Sequence, residues 1–384
     1  MLIQLSIENY RSIKDPITIS MLASLDPLHQ IYVRKSANLA LLPTSLIIGT
    51  NGAGKSNVFK AVKYLQALLK GDIKEVKVFP HFSSKADEPT RIDLQFTIAN
   101  KRYMYGVDLG KNEVKSEYLY VVEQNKEKIL YLKDGNNYQY DESLNVTFKQ
   151  VLDKIGQEKL LLPLLVNYDD NEIIKKVYKY LTENVIVIMS ETEDEVEIYN
   201  EALQDFKQMG VEAEINYYLD DIEIGINAFV KRDDDVYVRY YNGEISINEE
   251  SRGVKKIFTL LVLINKVLKE GKVLLFDEFE KHMHQAFIKY FINLFNDPLI
   301  NTNNAQLLFS AHNTTLLDLR VFRRDQIWLM DKNLKTMATV CYSLYEIEDV
   351  LENENIELGY LLGKYGATYE FKHGGVVKND EESN

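Results

Sequence analysis

The chain has 384 residues, of which 46% are hydrophobic and 27% are charged, so it has the composition of a globular protein in one or two domains. Its formal net charge of -13 argues against a general attraction to nucleic acid and leaves only a local basic patch for such a role. The single cysteine, Cys341, excludes an internal disulfide framework and fits a reducing cytosol.

No stretch of the sequence suits a membrane span or a secretion signal. The apolar runs fall short of the ~18–20 residues that a transmembrane helix needs. The first residues, MLIQLSIENYRSI, alternate apolar and polar side chains as a half-buried strand does, which is not the pattern of a signal peptide. We therefore expect a soluble, cytoplasmic protein without a membrane partner.

A strand–turn–helix unit follows the opening strand. We predict a buried strand at residues 45–48, then a glycine-rich turn, then a helix that ends at Gly71. Alternating segments between residues 91 and 123 predict antiparallel strands, and Asp134-Gly135-Asn136 predicts a further hairpin.

Helical periodicity predominates from about residue 151 to 210. The clearest predicted helices are 171–190 and 194–210, and the second ends on Gly210. Residues 214–247 return to strand character, with a hairpin turn at Asn242-Gly243.

The last third of the chain alternates again between helices and buried strands. The predicted segments are a helix at 252–271, a strand at 272–278, a helix at 281–296, a strand at 304–313 and strand-like pieces at 325–332 and 337–347. The tail from residue 372 is predicted to be disordered.

The segment GTNGAGKS matches the phosphate-loop pattern G-x-x-x-x-G-K-S between a predicted strand and a predicted helix. Its glycines let backbone N–H groups face phosphate oxygens, and the start of the helix adds a favourable dipole. Lys55 reaches the β- and γ-phosphates, and the Ser56 hydroxyl is a ligand for Mg²⁺. The predicted nucleotide contacts are Gly49, Asn51, Gly52, Ala53, Gly54, Lys55, Ser56 and Asn57.

The segment VLLFDEFEKHMHQA places acids and histidines behind an apolar run, which fits two kinds of site. A zinc-hydrolase cluster on one helical face needs histidines four residues apart, whereas His282 and His284 are two apart. An acid at the carboxyl end of a parallel strand suits a nucleotide site, with Asp277 holding Mg²⁺ and Glu278 as general base. A solvated acid is the alternative for Glu278. Glu280 and the two histidines have supporting roles, with His282 on a helix surface.

Two further elements flank this strand. Ser251-Arg252-Gly253 opens a helix, where a hydroxyl and a glycine N–H form an anion site, although a plain helix cap is the alternative. His312 follows another buried strand, where it can donate to a γ-phosphate, although a structural histidine is the alternative. The order of these elements around Asp277 favours the functional interpretation of both.

Taken together, these motifs resemble those of the ATP-binding-cassette ATPases. Within them, the chain is similar to the SMC/RecF-like branch, and most closely to the abortive-infection and OLD-type ATPases of bacterial defence. IENYRSIKD resembles the N-terminal N-[FY]-[RK]-S signature of that branch, and NEESRGVKK, DEFEKHMH, SAHNTTLLD and RRDQIWLMDKN follow the family order. The resemblance covers residues 1 to about 371 and is weakest between 111 and 215.

The resemblance implies an α/β fold of the ABC-type P-loop NTPase class. We expect a mixed or parallel core sheet, an antiparallel β-subdomain and a helical insertion. The predicted segments are an N-terminal ATPase lobe (1–110), an inserted β/helical lobe (111–245), a C-terminal ATPase lobe (246–345) and a C-terminal segment with the tail (346–384).

The resemblance also implies that two protomers close head to tail on two ATP molecules with Mg²⁺, as a homodimer or a higher homo-oligomer. One chain supplies Lys55, Ser56, Asp277, Glu278 and His312, the other supplies Ser251 and Gly253, and Arg11 and Ser12 lie near the nucleotide. The signature S-R-G departs from the transporter type L-S-G-G-Q, which suggests slow, regulatory hydrolysis.

We expect a regulatory or sensor ATPase of an anti-phage defence complex that controls a separate nuclease or toxin. After His312 we find no acidic triad of the TOPRIM nuclease kind. The alternative is a RecF-type DNA-repair ATPase with a basic face at KYLQALLKGDIKEVK or Lys175–Lys179, although each is more simply a solvated helix face. A transporter subunit is disfavoured by the altered signature.

Overall fold

The structure is a computed structural model. It describes residues 1–85, 87–123, 126–144, 151, 156, 158–168 and 171–368. The predicted tail, which starts at residue 372, lies outside the described residues. Within this described part, no helix is both long and apolar enough to cross a membrane.

The described part of the chain contains runs of consecutive strands separated by helices. The strands are β1 (Leu2–Glu8), β2 (Ile17–Ser20), β3 (Arg34–Ser36), β4 (Leu39–Leu41), β5 (Thr44–Gly49), β6 (Thr90–Ile98), β7 (Lys101–Gly110), β8 (Glu113–Glu123), β9 (Lys126–Asp134), β10 (Asn137–Tyr140), β11 (Val185–Ile188), β12 (Ala228–Arg232), β13 (Asp235–Tyr240), β14 (Gly243–Ser246), β15 (Val273–Phe276), β16 (Gln306–Ala311), β17 (Ile327–Lys332) and β18 (Thr339–Ser343).

The α-helices of the same part are α1 (Lys55–Lys70), α2 (Leu161–Tyr168), α3 (Glu172–Lys179), α4 (Thr192–Met209), α5 (Glu212–Asp220), α6 (Arg252–Glu270), α7 (Gln285–Asn296) and α8 (Ile356–Leu361). A π-helical turn, Tyr180–Asn184, continues α3. Short 3-10 helices lie at Gln30–Tyr32, Glu142–Leu144, Ile247–Glu249, Thr314–Leu316, Arg324–Gln326 and Leu344–Glu346.

A six-stranded core sheet carries the phosphate-loop motif. Its strand order is β11-β15-β16-β5-β17-β18, and its neighbours run parallel except for the antiparallel pair β17–β18. Strands β5, β15 and β16 are buried along their whole length. Because parallel strands bring their carboxyl ends to one edge, the residues that follow β5, β15 and β16 meet there.

Both faces of the core sheet are covered, which explains its nearly continuous apolar strands. Ile47 and Leu308 face the core that includes the antiparallel sheet and α1. Their neighbours Leu46 and Leu307 face the second core, with α6 and α7. Burial of each large apolar side chain contributes roughly 1.5–3 kcal/mol to folding, so the two cores hold the sheet edge in place from both sides.

A seven-stranded antiparallel sheet has the order β10-β9-β8-β7-β6-β1-β2. The turn between β6 and β7 has Ala99 and Asn100 at positive φ, 47° and 63°, as a tight hairpin requires. The predicted hairpin around Gly135 is confirmed, since it joins β9 to β10. This sheet packs over α1 and α2 and shares their core.

A small three-stranded sheet, in the order β12-β13-β14, lies with α4 and α5 on the side of α6. The predicted hairpin at Asn242-Gly243 is confirmed as the β13–β14 turn. The predicted helix end at Gly210 is also confirmed, because Gly210 terminates α4 with a φ of 63°.

Three local predictions are wrong. Residues 185–188, predicted as the end of a helix, form β11, because this β-branched run pairs with β15 at the edge of the core sheet. Residues 214–220, predicted as strand, belong to α5, which buries Ile215 and Leu219 one turn apart. Residues 281–284 form a turn before α7, and His282 has a φ of 65° there.

These sheets and helices confirm the predicted α/β fold, with a mixed core sheet, an antiparallel β-subdomain and helical segments. The division into lobes stays a prediction. The antiparallel sheet continues from β7 to β10 across residue 110, and β11 joins the core sheet from within the predicted insertion.

Candidate functional site

The phosphate loop lies between β5 and α1, as its pattern predicts. Two of its glycines are required by close contacts. A Cβ on Gly49 would collide with the carbonyl oxygen of Met330 on the neighbouring strand β17. Gly54 has a φ of 108°, and a Cβ there would collide with Thr339 and lie 2.6 Å from Ser12 Oγ.

Lys55, the first residue of α1, is buried at the centre of the loop. Its Nζ donates to the carbonyl oxygens of Gly49 (2.7 Å) and Thr50 (3.1 Å) and lies 3.3 Å from His312 Nδ1. Burial lowers the pKa of Lys55 to about 8, while the negative charges of Glu280 and Asp277 act to raise it. The ammonium is therefore held among oxygen acceptors at the position where phosphate would bind.

Asp277 follows β15 and is buried directly beside the phosphate loop. It accepts a hydrogen bond from Ser310 Oγ at 2.6 Å and another from the Ser56 hydroxyl. Burial raises the pKa of Asp277, and these two hydrogen bonds oppose the shift. A hydroxyl and a carboxylate in contact are the hard oxygen donors that suit Mg²⁺, so the residues present fit this ion.

Glu278 follows in a left-handed backbone conformation, with a φ of 53°. Its N–H donates to Ser310 Oγ at 2.8 Å, which fixes the turn. Its carboxylate lies 3.4 Å from His312 Nε2. Because the Lys55 ammonium offers only donors, His312 Nδ1 is the acceptor in this contact, and Nε2 faces Glu278. The structure therefore brings Lys55, His312 and Glu278 together in one chain of contacts.

The side chains around the loop enclose a cavity of about 550 Å³. It is lined by Ser12, Asn51, Gly52, Gly54, Lys55, Ser56, Asn57, Glu278, His312 and Lys332. Ala53 is buried within the loop, and Gly49 and Asp277 lie beneath the lining.

The two signature residues Arg11 and Ser12 lie in different cavities. Ser12 Oγ accepts from Asn57 Nδ2 at 2.8 Å and lines the cavity. Arg11 does not line it. Its guanidinium lies 4.8 Å from the centre of the Phe79 ring, in a separate cavity of about 700 Å³ beside Tyr64.

Ser251 and Gly253 lie at the start of α6 and do not line the phosphate-loop cavity. The exposed Ser251 caps the helix, since its Oγ accepts from Val254 N at 3.3 Å. Gly253 has open space where a side chain would project, with Ser251 Oγ as the nearest atom at 3.9 Å. Both residues therefore remain accessible for contacts outside their own nucleotide cavity.

A known protein family matches most of this chain. Residues 45–318, well over half of the chain, match the family model described as "AAA domain, putative AbiEii toxin, Type IV TA system". The chain belongs to this AAA-domain family. The predicted relationship to this family of ATPases is confirmed, and the phosphate loop lies within the matched residues.

Three solved structures are similar to the AAA-domain chain at low identity. The SMC head domain from Thermotoga maritima is 12% identical, covers 89% of this chain and 98% of its own, and has a TM-score of 0.45. An Smc head bound to the C-terminal winged-helix domain of ScpA is 11% identical, covers 91% and 99%, and has a TM-score of 0.48.

The third is an Smc head with an extended coiled coil, bound to the C-terminal domain of ScpA derived from Pyrococcus furiosus. It is 11% identical, covers 90% of this chain and 97% of its own, and has a TM-score of 0.45. No curated protein matches the chain.

The sequence motifs do not mark two residues near the phosphate loop as nucleotide-binding or catalytic, and for Glu280 they predict only a supporting role. Glu280 has an oxygen that accepts from the backbone N–H of His312, and Lys332 lines the cavity from β17. The only sequence signal for Glu280 is its position two residues after Glu278. Lys332 lies in the segment RRDQIWLMDKN, which followed the family order, so its position at a strand end could have marked it.

The two histidines after Glu280 have other places in the AAA domain. His284 caps α7, because its Nδ1 accepts from Ala286 N at 3.2 Å. His282 is exposed, as predicted, but in a turn rather than on a helix. Among the described residues, no group of three or more histidine, cysteine and acidic side chains is arranged to hold a metal.

Proposed function

We propose that the chain is an ATP-hydrolysing regulatory or sensor subunit of a bacterial anti-phage defence complex. The observation that carries the proposal is the convergence of Lys55, Glu278 and His312 on one cavity, with contacts of 3.3 and 3.4 Å. These are the groups that phosphoryl transfer to water needs: a cation for the phosphates, a base for the water and a donor for the γ-phosphate.

Each residue has a distinct role in this proposal. Lys55 and the loop N–H groups bind the β- and γ-phosphates. Ser56 and Asp277 would hold Mg²⁺, which neutralises phosphate charge when it is bound. Glu278 accepts a proton from the attacking water. His312 donates from Nε2 toward the γ-phosphate oxygens and positions the Glu278 carboxylate beside it.

A second chain completes the proposed site. Ser251 and Gly253 present a hydroxyl and an N–H at the start of α6, away from the cavity of their own chain. A helix N-terminus favours an anion. In a head-to-tail dimer, these groups would contact the γ-phosphate bound by the partner protomer. ATP would therefore hold two protomers together, and hydrolysis would release them.

The defence role is supported by the family description, which names an AbiEii toxin and a type IV toxin–antitoxin system. A slow ATPase of this kind suits control of a separate nuclease or toxin, whose activity would follow the assembly state of the dimer.

The DNA-repair alternative gains little from the described contacts. Lys63, in the first candidate basic segment, pairs with Asp194 at 2.6 Å. In the second segment, Lys176 pairs with Glu172 at 3.4 Å. One lysine of each segment is therefore paired with a neighbouring acid.

The substitution Glu278→Gln tests the proposal. It removes the base but keeps the size of the side chain, so hydrolysis should fall by roughly 10²- to 10⁴-fold while ATP still binds. We expect bound ATP and dimers to accumulate, measured by nucleotide retention and light scattering. Glu127→Gln, on an exposed residue of β9, is the matched control. A variant that hydrolyses ATP at the wild-type rate would contradict the assignment.

A further inference from the structure

Lys332 reaches the phosphate-loop cavity from the side opposite Asp277. In the core sheet, β15 and β16 lie on one side of β5, and β17 lies on the other. Strand β17 runs parallel to β5, with Met330 beside Gly49. Parallel pairing carries the end of β17 to the sheet edge where the phosphate loop begins, and Lys332 is the last residue of that strand.

The base of the β17–β18 hairpin is fixed to the phosphate loop. Lys332 pairs with Thr339 across the hairpin. Thr339 Oγ1 donates to the carbonyl oxygen of Ala53 at 2.7 Å and lies 2.8 Å from Ser12 Oγ. Ser12 in turn accepts from Asn57 Nδ2. Lys332 therefore projects from an anchored strand end rather than from a free loop.

The Lys332 side chain is half-buried and lacks an anion of its own. Within the described part of the chain, no acceptor or acid is found for its ammonium, whereas its backbone N–H donates to Asp331 Oδ1. By contrast, Lys55 in the same cavity has oxygen acceptors at 2.7 and 3.1 Å. Withdrawing an ammonium from water without a partner is unfavourable, so an incoming anion would stabilise Lys332 in this place.

We propose that Lys332 binds the α- and β-phosphate oxygens of the nucleotide from the β17 side of the cavity. The groups suited to the γ-phosphate, Glu278 and His312, follow β15 and β16 on the other side of β5. Lys332 shares its own side with Ser12 and Thr339. The inference rests on the proposed nucleotide binding and adds a second cation to the cavity, on the opposite side of β5 from Asp277.

The substitution Lys332→Met tests the inference, since it keeps the aliphatic stem and removes the charge. ADP and ATP both carry the α- and β-phosphates, so the Kd of the full chain for each should rise by the same factor, about tenfold. Lys332→Arg should keep most of the affinity. Lys335→Met, on an exposed residue in the turn of the same hairpin, should bind like the wild type.

The outcomes separate this inference from the proposed function. If the wild type binds both nucleotides and Lys332→Met binds them with the same affinity, the inference is overturned and the proposed function is not. A loss of affinity confined to ATP would also overturn the inference, because it would place the ammonium at the γ-phosphate. A wild type that binds neither nucleotide would overturn the proposed function as well. Without nucleotide, Lys332→Met should be at least as stable as Lys335→Met in unfolding curves, because it removes an unpaired, half-buried charge, and this shows that the loss of affinity is not a loss of fold.

Discussion

Glu280 links the turn after Glu278 to the histidine at the other side of the cavity. One of its carboxylate oxygens accepts from the backbone N–H of His312. The other oxygen is buried, and no partner for it is found among the described residues. Lys55 has its pKa lowered by burial, and Glu280 is the acid that opposes this shift most strongly. Glu280 therefore holds His312 in place and adds negative charge near Lys55.

Replacing Glu280 should affect turnover more than binding. Glu280→Ala removes the acceptor for the His312 N–H, so His312 should lose its alignment and kcat should fall by about tenfold. Glu280→Gln keeps an amide oxygen as acceptor and should retain most of the rate. Steady-state hydrolysis and nucleotide affinity of both variants provide the comparison. Equal losses in the two variants would mean that the hydrogen bond to His312 does not position it.

The residues of the site differ in how far the sequence reveals them. Lys55, Ser56 and Asp277 lie in compact patterns between a strand and a helix, so their placement follows from local periodicity. Glu280 follows β15 and contacts His312, which follows the neighbouring strand β16. Lys332 lies near the phosphate loop because β17 pairs with β5. Such long-range contacts depend on strand order, which local patterns do not show.

At the scale of elements, Glu117 on β8 joins the antiparallel sheet to α2. It is fully buried and accepts from the hydroxyls of Tyr105 (3.0 Å) and Tyr131 (2.9 Å). It also accepts from the backbone N–H groups of Leu161 and Leu162 in the first turn of α2. A carboxylate from another element thus satisfies free donors at the start of this helix.

Removing this carboxylate should destabilise the fold. Glu117→Ala leaves several buried donors unpaired, so the free energy of unfolding should fall by about 3 kcal/mol. The matched control is Glu127→Ala, at an exposed position on β9 of the same sheet, which should change stability by less than about 0.5 kcal/mol. Urea unfolding measures both variants. A Glu117→Ala protein as stable as the control would contradict the structural role.

The type of an element could be predicted from the sequence where the apolar periodicity was long, as in α6. The prediction failed where the periodicity was short. The run Val185–Ile188 follows a helical segment without a break in its pattern, and its pairing with β15 makes it a strand. A run of this length fits a strand or a helix equally well from its pattern alone. In α5, Ile215 and Leu219 point to the core, while strand-favouring tyrosines between them obscured the helix.

At the scale of the whole molecule, the proposed function needs two chains. The cavity of one chain contains the groups of the phosphate loop and of the turns after β15 and β16, but not those at the start of α6. A head-to-tail dimer brings both sets to each nucleotide, and its two-fold symmetry creates two equal sites. ATP would then act as part of the interface, which links nucleotide state to assembly.

Mixing two inactive variants tests this composite site most directly. Lys55→Ala disables the phosphate loop. Gly253→Glu places a negative charge where the partner's γ-phosphate would bind, at a helix start that tolerates an acid and has open space for it. Each variant alone should be inactive. In an equimolar mixture, half of the dimers contain one intact site of two, so hydrolysis should recover to roughly a quarter of the wild-type rate. A mixture that stays as inactive as its separate components would contradict the composite dimeric site.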